Sequence, residues 1–191
     1  QMLHSFSTVA EARAFLETEN HISAEIITLS DATGDAGVFE MAADGMDERR
    51  LSDNDVVYVT NHFLEEVTEP LHQVVTNEDS SVMRYARLEQ LLEPGGVDSV
   101  HGTLDLAGAV EILRDTYNPI TDETHSPDLF DGGGTLANNG AIQAIVFLPE
   151  QPALYVAVGN LPLLPNAFVG FTLEWLLGES KENKPNPLTI P

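Results

Sequence analysis

The sequence contains no cysteine and few basic residues, and both shortages exclude classes of function. Its 191 residues include 0 Cys, and 8 Lys and Arg stand against 31 Asp and Glu, so the formal net charge at pH 7 is −23. Nucleic acids and anionic membranes are bound through cationic surface, so neither is expected as a partner. No apolar run is long enough to span a bilayer.

Histidine is the remaining residue type that suggests a metal site, but its spacing argues against one. No two histidines stand at i, i+4 on a predicted helix, and there is no cysteine to complete a zinc set. We therefore predict no metal and no cofactor. The histidines are His4, His21, His62, His72, His101 and His125.

The acidic excess is spread along the chain rather than collected in a tail. Such a surface is well solvated and suits salty surroundings, which favours a secreted or periplasmic protein or a salt-tolerant, marine bacterial source. A cationic substrate is the alternative explanation, but a charge spread this widely is weak evidence for it. With 42% hydrophobic residues, the chain has enough apolar side chains for the core of one domain.

Arg84 is the first candidate site residue. Ser80 is a good N-cap for a helix over residues 80–93, in which Arg84 falls on the apolar face while Arg87 falls where water reaches it. An arginine on such a face is either a fixed fork of donors in a closed site or a side chain that packs its stem and extends its head to a nearby carboxylate.

Asn61 is the second candidate, and it follows a run of β-branched and aromatic residues. Residues 56–59 read Val-Val-Tyr-Val and predict a strand covered on both faces, with Asn61 facing a covered layer and His62 pointing the other way. An amide there can donate to a developing oxyanion in acyl transfer. The alternative is an asparagine that caps the strand end and binds loop backbone.

Several short motifs, taken in order, resemble one enzyme family. They are Ser7-Thr8-Val9-Ala10-Glu11-Ala12 opening a helix, the hairpin Ile26 to Gly34 followed by Gly37-Val38-Phe39-Glu40, Thr60-Asn61-His62-Phe63, Ser80 to Tyr85 opening a second helix, and Gly134-Thr135-Leu136 before two strands. Together they are similar to the C-terminal part of N-terminal nucleophile (Ntn) hydrolases of the choloylglycine hydrolase and isopenicillin N acyltransferase type.

The resemblance implies a fold, a reaction and two roles. The family fold is a four-layer αββα sandwich, and its nucleophile is an N-terminal cysteine that self-cleavage exposes and whose α-amine acts as the base. Asn61 would be the oxyanion-stabilising asparagine, and Arg84 would support the nucleophile and its surroundings. The family's reactions are amide hydrolysis and acyl transfer, and these residues do not choose between them or identify the acyl group and the amine.

This sequence lacks the family's cysteine. We therefore expect a subunit or fragment, with residues 1–180 forming the C-terminal portion of an Ntn-hydrolase domain and residues 181–191 a tail. Its partner would be an N-terminal polypeptide of the same precursor that carries the cysteine, and its substrate a small-molecule amide. The alternative is a non-catalytic binding or structural module that keeps part of the sandwich.

The predicted fold class is α+β with two mostly antiparallel sheets. Helices are expected over residues 8–17, 80–93 and 104–117, each with one apolar face. Strands over residues 141–147 and 153–158 should form a hairpin, and 168–175 is either a last strand or an aromatic edge. The Asp-, Pro-, Asn- and Gly-rich residues 118–140 are expected to form a loop or lid.

Overall fold

The computed structural model divides the chain into two units, Gln1–Tyr85 and Ala86–Pro191. It describes residues 5–43, 45–65, 68, 76, 78–126, 134–149, 151–184 and 190–191. The predicted α+β class with antiparallel sheets is confirmed.

The first unit is a three-stranded antiparallel sheet with one helix. Helix α1 (Val9–Leu16) precedes strands β1 (Glu25–Ser30), β2 (Ala36–Ala42) and β3 (Gly45–Arg50), which pair in the order β1-β2-β3. The capping box predicts the start of α1 correctly, since the Thr8 side chain accepts from the backbone of Glu11.

The apolar core of this unit lies between α1 and the sheet. Val9 and Leu16 pack with Phe39 and Met41, and the partly buried Ile27, Leu29 and Met46 surround them. Strand β2 is buried on both faces, because Val38, Glu40 and Ala42, which alternate with the core residues, are buried as well. A charged residue in such a strand needs partners, and Glu40 has them.

Helix α2 (Ser80–Leu92) confirms the second predicted helix and contains the boundary between the units. Its buried residues include Arg87, whose predicted exposure is wrong. The Arg87 guanidinium donates to Asp115 at 3.1 and 2.8 Å and lies 3.4 Å from Asp98, so its charge is neutralised inside the second unit. Its centre also lies 4.9 Å from the Tyr117 ring.

The second unit holds the remaining elements. They are helix α3 (Leu106–Leu113), strands β4 (Tyr117–Asn118), β5 (Glu123–Thr124), β6 (Ile145–Leu148), β7 (Ala153–Ala157) and β8 (Phe168–Thr172), and the short helix α4 (Leu173–Leu176). Strands β4 and β5 pair with each other, and β6-β7-β8 form an antiparallel sheet. The hairpin predicted for 141–147 and 153–158 is confirmed with a later start, and 168–175 is a strand followed by a helical turn.

The helix predicted over residues 104–117 is shorter than expected. Asp105 caps its start by accepting from Gly108 at 2.8 Å, and the helix ends at the C-cap Arg114, before the β4–β5 hairpin. That hairpin begins at Tyr117 and otherwise lies inside the predicted loop 118–140, of which residues 127–133 lie outside the described residues. The predicted tail also lies partly outside them, but Ile190 pairs with Phe168.

The prediction of a strand over residues 56–59 is wrong. The structure assigns none there, because among the described residues no neighbouring strand forms a ladder with this run. A β-branched composition favours extended backbone but does not supply a hydrogen-bonding partner. The facing derived from that strand is also wrong for Asn61, which is exposed rather than turned toward a covered layer. His62 is buried.

Candidate functional site

Asn61 and Arg84, the two predicted site residues, are in direct contact within the first unit. Arg84 Nη2 donates to Asn61 Oδ1 at 2.7 Å, and Arg84 Nε donates to Ser80 Oγ at 3.3 Å. Burial lowers the pKa of the Arg84 guanidinium. The contact joins the loop at residues 60–63 to the first turns of α2.

This hydrogen bond determines how the Asn61 carboxamide is turned. A guanidinium has donors and no acceptor, so only the amide oxygen can face it, and the Asn61 Nδ2 group must point the other way. Among the described residues, no acceptor takes a hydrogen bond from Asn61 Nδ2. The amide is therefore an oriented donor with its two protons available.

A small cavity of about 240 Å³ lies beside Asn61. Four of its six lining residues are apolar and the other two bring one hydroxyl and one carboxamide, so the wall is of mixed polarity. Ligand sites commonly combine apolar walls with a few placed polar groups, so this cavity is the natural place for a group that approaches the Asn61 amide. Its lining residues are Ala24, Ile26, Val59, Thr60, Asn61 and Phe63.

The Asn61 backbone is held from the same helix as its side chain. The Asn61 N–H donates to Ser81 Oγ at 2.7 Å, and Ser81 lies three residues before Arg84, on the same face of α2. Two neighbours of Asn61 reach the same hydroxyl: His62 Nδ1 lies 2.8 Å from Ser81 Oγ and Thr60 Oγ1 lies 3.0 Å from it.

Glu40 supports the loop that follows Asn61, and the sequence analysis did not include it among the site residues. Its carboxylate is fully buried and accepts from the backbone N–H groups of Leu64 at 2.9 Å and Glu65 at 3.1 Å, and from the Thr68 hydroxyl at 2.9 Å. Arg49 Nη2 lies 3.3 Å from the other carboxylate oxygen. The signal in the sequence is a glutamate in the middle of the apolar run of β2, where a charge needs partners.

Both acidic and basic side chains surround Glu40. Burial raises the pKa of Glu65, and the charges of Glu40 and Asp47 act in the same direction, whereas Arg49 lowers it. Arg49 also donates to the carbonyl of Tyr58 at 3.2 Å. The one arginine therefore connects β3, β2 and the segment that leads into Asn61.

Two other kinds of site are absent from the described residues. Those residues contain no group of three or more His, Cys, Asp or Glu side chains that could hold a metal ion. None of their helices combines the length and apolar character needed to cross a membrane.

Comparison with known proteins identifies the family. The family model for acyl-coenzyme A:6-aminopenicillanic acid acyl-transferase matches residues 2–161. No curated protein and no solved structure matched the chain. The family match includes Glu40, Asn61, Ser81 and Arg84, and it agrees with the resemblance drawn from the motifs. Because it spans most of the 191 residues, the chain belongs to the acyl-coenzyme A:6-aminopenicillanic acid acyl-transferase family.

Proposed function

We propose that this chain is part of an amide-bond hydrolase or acyltransferase of the Ntn class, in which Asn61 stabilises the oxyanion and Arg84 orients Asn61. Membership of an acyltransferase family supports acyl-transfer or hydrolytic chemistry. The observation that carries the proposal is the 2.7 Å hydrogen bond from Arg84 to Asn61 Oδ1, because it leaves the Asn61 amide protons as the group presented to a substrate.

The role of Asn61 follows from the chemistry of acyl transfer. When a nucleophile attacks an amide carbonyl, the π electrons move to the carbonyl oxygen and negative charge develops there. A donor already aimed at that oxygen stabilises the transition state more than the ground state. Asn61 Nδ2 beside the cavity suits this task, because Arg84 prevents the amide from presenting its oxygen instead.

Arg84 acts in the proposal through Asn61 and not as an acid or base. Although burial lowers its pKa, a guanidinium stays protonated in proteins, so it does not exchange a proton during turnover. Its contribution is a fixed geometry and a positive charge near the developing oxyanion. We assign it as a positioning residue.

The proposed nucleophile is an N-terminal cysteine on a separate upstream polypeptide, as the family resemblance implies. The chain contains no cysteine of its own. Strand β1 is at the edge of its sheet among the described residues, since β2 is the strand with which it pairs. An unpaired edge is a site where a strand of another polypeptide adds to a sheet, and such strands would extend the two sheets toward a four-layer sandwich.

The absence of cysteine also favours a second candidate, a non-catalytic module that retains the family fold. Mass spectrometry of the protein purified from its source separates the two functions. A stoichiometric second polypeptide that begins with Cys supports the enzyme. A single intact chain of this sequence, inactive on amides, supports the module.

With the cysteine-bearing polypeptide present, substitution tests the assigned roles. Asn61→Ala should lower kcat by about 100-fold or more, as expected for the loss of one oxyanion donor, with unchanged thermal unfolding. Asn20→Ala, at an exposed position, is the matched control and should keep full activity. Arg84→Lys should also lower kcat, because a lysine keeps the charge but not the planar fork that orients the amide. An Asn61→Ala enzyme of full activity would refute the assignment.

A further inference from the structure

We infer that Ser81 is a positioning residue for the proposed reaction and that it acts by holding the backbone of Asn61. The inference rests on the proposed function, in which Asn61 is the oxyanion donor. It concerns a different group, since Arg84 holds the side chain of Asn61 and Ser81 holds its main chain.

The Ser81 hydroxyl lies at the centre of a small polar cluster. Its oxygen is 2.7 Å from Asn61 N, 2.8 Å from His62 Nδ1 and 3.0 Å from Thr60 Oγ1. The Thr60 hydroxyl in turn donates to the Ser81 carbonyl oxygen at 2.9 Å. Three consecutive residues of the loop therefore reach one side chain on α2.

One assignment of the hydrogen-bond protons satisfies the contacts of this cluster. The Thr60 proton goes to the Ser81 carbonyl, so Thr60 Oγ1 is free to accept the Ser81 proton. Ser81 Oγ then has two lone pairs, of which one accepts from Asn61 N–H and the other from His62 Nδ1–H. If Ser81 donated to His62 instead, two hydroxyl oxygens would face each other at 3.0 Å without a proton between them.

This arrangement argues against Ser81 as a nucleophile. In this proton assignment the Ser81 proton and both lone pairs are engaged, and His62 Nδ1 carries a proton rather than acting as a base. Ser81 is also not among the residues that line the cavity beside Asn61. What the hydroxyl does is join the loop to the helix.

One face of α2 therefore holds both the main chain and the side chain of Asn61. Ser81 and Arg84 are three residues apart, so they project from the same side of the helix. Buried His62, whose ring lies edge-on to Tyr85 with 5.6 Å between centroids, anchors the loop next to them. A donor held at its main chain and its side chain needs little reorganisation when charge develops.

The test is a double-mutant cycle in the complete enzyme, with the cysteine-bearing polypeptide present. Ser81→Ala should lower kcat about tenfold or more, toward the 10²-fold loss that a misplacement of about 1 Å can cause, while KM changes less than about twofold. Ser81→Thr keeps the hydroxyl and should restore most of the activity. In an Asn61→Ala background, Ser81→Ala should have no further effect on kcat, because its effect passes through Asn61.

Ser99→Ala is the matched control. Ser99 Oγ donates to the Glu93 carbonyl at 2.7 Å and accepts from His101 N at 3.2 Å, so its removal deletes comparable bonds in the second unit. It should leave kcat unchanged. If Ser81→Ala does not fold, Ser81→Cys replaces it, since sulfur keeps the volume but accepts weakly, and the same loss of kcat is expected.

Two kinetic results would overturn the inference. One is unchanged kcat in Ser81→Ala, and the other is a loss of the same size in the presence and absence of the Asn61 side chain. Covalent labelling of Ser81 by a fluorophosphonate would refute it in favour of a serine nucleophile. Full activity in Asn61→Ala is a separate outcome, because it removes the proposed function on which the inference depends.

Discussion

Replacing the Glu40 carboxylate is the most direct test of how the fold holds the candidate site. Glu40 is fully buried, and one of its oxygens accepts from Leu64 N, Glu65 N and Thr68 Oγ1. The other oxygen lies 3.1 Å from Leu64 N and faces Arg49 Nη2 at 3.3 Å. The segment that these bonds hold begins directly after Asn61, His62 and Phe63, so we expect Glu40 to affect both stability and activity.

The size of the effect follows from which bonds a glutamine can keep. If the amide oxygen of the introduced glutamine takes the position with three donors, its NH₂ group faces Arg49 and a charged hydrogen bond is lost. Hydrogen bonds to charged groups contribute about 1.5–3 kcal/mol, and we expect Glu40→Gln to lower the free energy of unfolding by that amount. Glu40→Ala leaves all the donors without this acceptor and should cost about 3–5 kcal/mol, as for breaking a buried ion pair.

Urea unfolding followed by circular dichroism measures the loss, and amide hydrogen exchange locates it. The exchange of the Leu64 and Glu65 amides should accelerate in Glu40→Gln more than that of the α1 amides. The control is Glu25→Gln, the same chemical change at an exposed position of the same sheet, which should stay within about 0.5 kcal/mol of the wild type. Equal stability and equal amide protection in both variants would refute the account of Glu40.

Two further predictions concern charges outside the site. Arg87→Ala should lower the free energy of unfolding by about 3–5 kcal/mol, because it removes the cationic partner of Asp115 in the second unit. Arg13→Ala at a half-exposed ion pair should cost less than about 1 kcal/mol, and parallel urea titrations compare the two variants. The hydrogen bonds from Thr33 and from Val9 lower the pKa of Asp31 to about 2. The stability that ionised Asp31 adds to the fold is therefore complete above the unfolded pKa of about 4 and is lost as the pH falls toward 2. Thermal unfolding should show the difference in stability between the wild type and Asp31→Asn closing across that interval.

The elements that sequence predicted well are those whose signals are local. The capping box at Thr8 and the apolar spacing behind it identify α1, and the turn between Ser30 and Ala36 identifies the first hairpin. Prolines at positions 149 and 152 likewise mark the break between β6 and β7. In each case the residues that decide the structure lie within a few positions of one another, which is the range that periodicity and turn chemistry describe.

Strand β3 was missed because its stability comes from distant partners. Its sequence, Gly-Met-Asp-Glu-Arg-Arg, has almost no apolar pattern, yet it pairs with β2 along its length. Its charges are neutralised by residues elsewhere in the unit: Arg49 by Glu40, Arg50 by Asp35, and Glu48 by Arg13. Such pairs are created by the fold, so a local pattern does not indicate them.

Dependence on distant partners also explains which predictions about the site are right and which are wrong. The helix periodicity brought Arg84 forward and the residues after a predicted strand brought Asn61 forward, and the structure places the two 2.7 Å apart. The face assigned to Asn61 was wrong because it depended on a strand that needed a partner. The helical spacing also predicts that Arg87 faces water, although the carboxylate of Asp115, 28 positions later, makes its burial favourable.

The exposure of Asn61 bears on how the proposed enzyme would work. A single N–H···O⁻ hydrogen bond open to water is worth little, because the oxyanion exchanges it with solvent donors, whereas a factor of about 10²–10³ in kcat requires a dry, preorganised donor. Arg84 and Ser81 supply the preorganisation in this chain, but Asn61 is an exposed residue. In the proposed assembly, the polypeptide with the cysteine therefore has a second task, since it and the substrate must exclude water from Asn61. When the two polypeptides are assembled, Asn61→Ala should therefore lower kcat far more than it weakens substrate binding, because the hydrogen bond from the amide becomes strong only where the oxyanion forms.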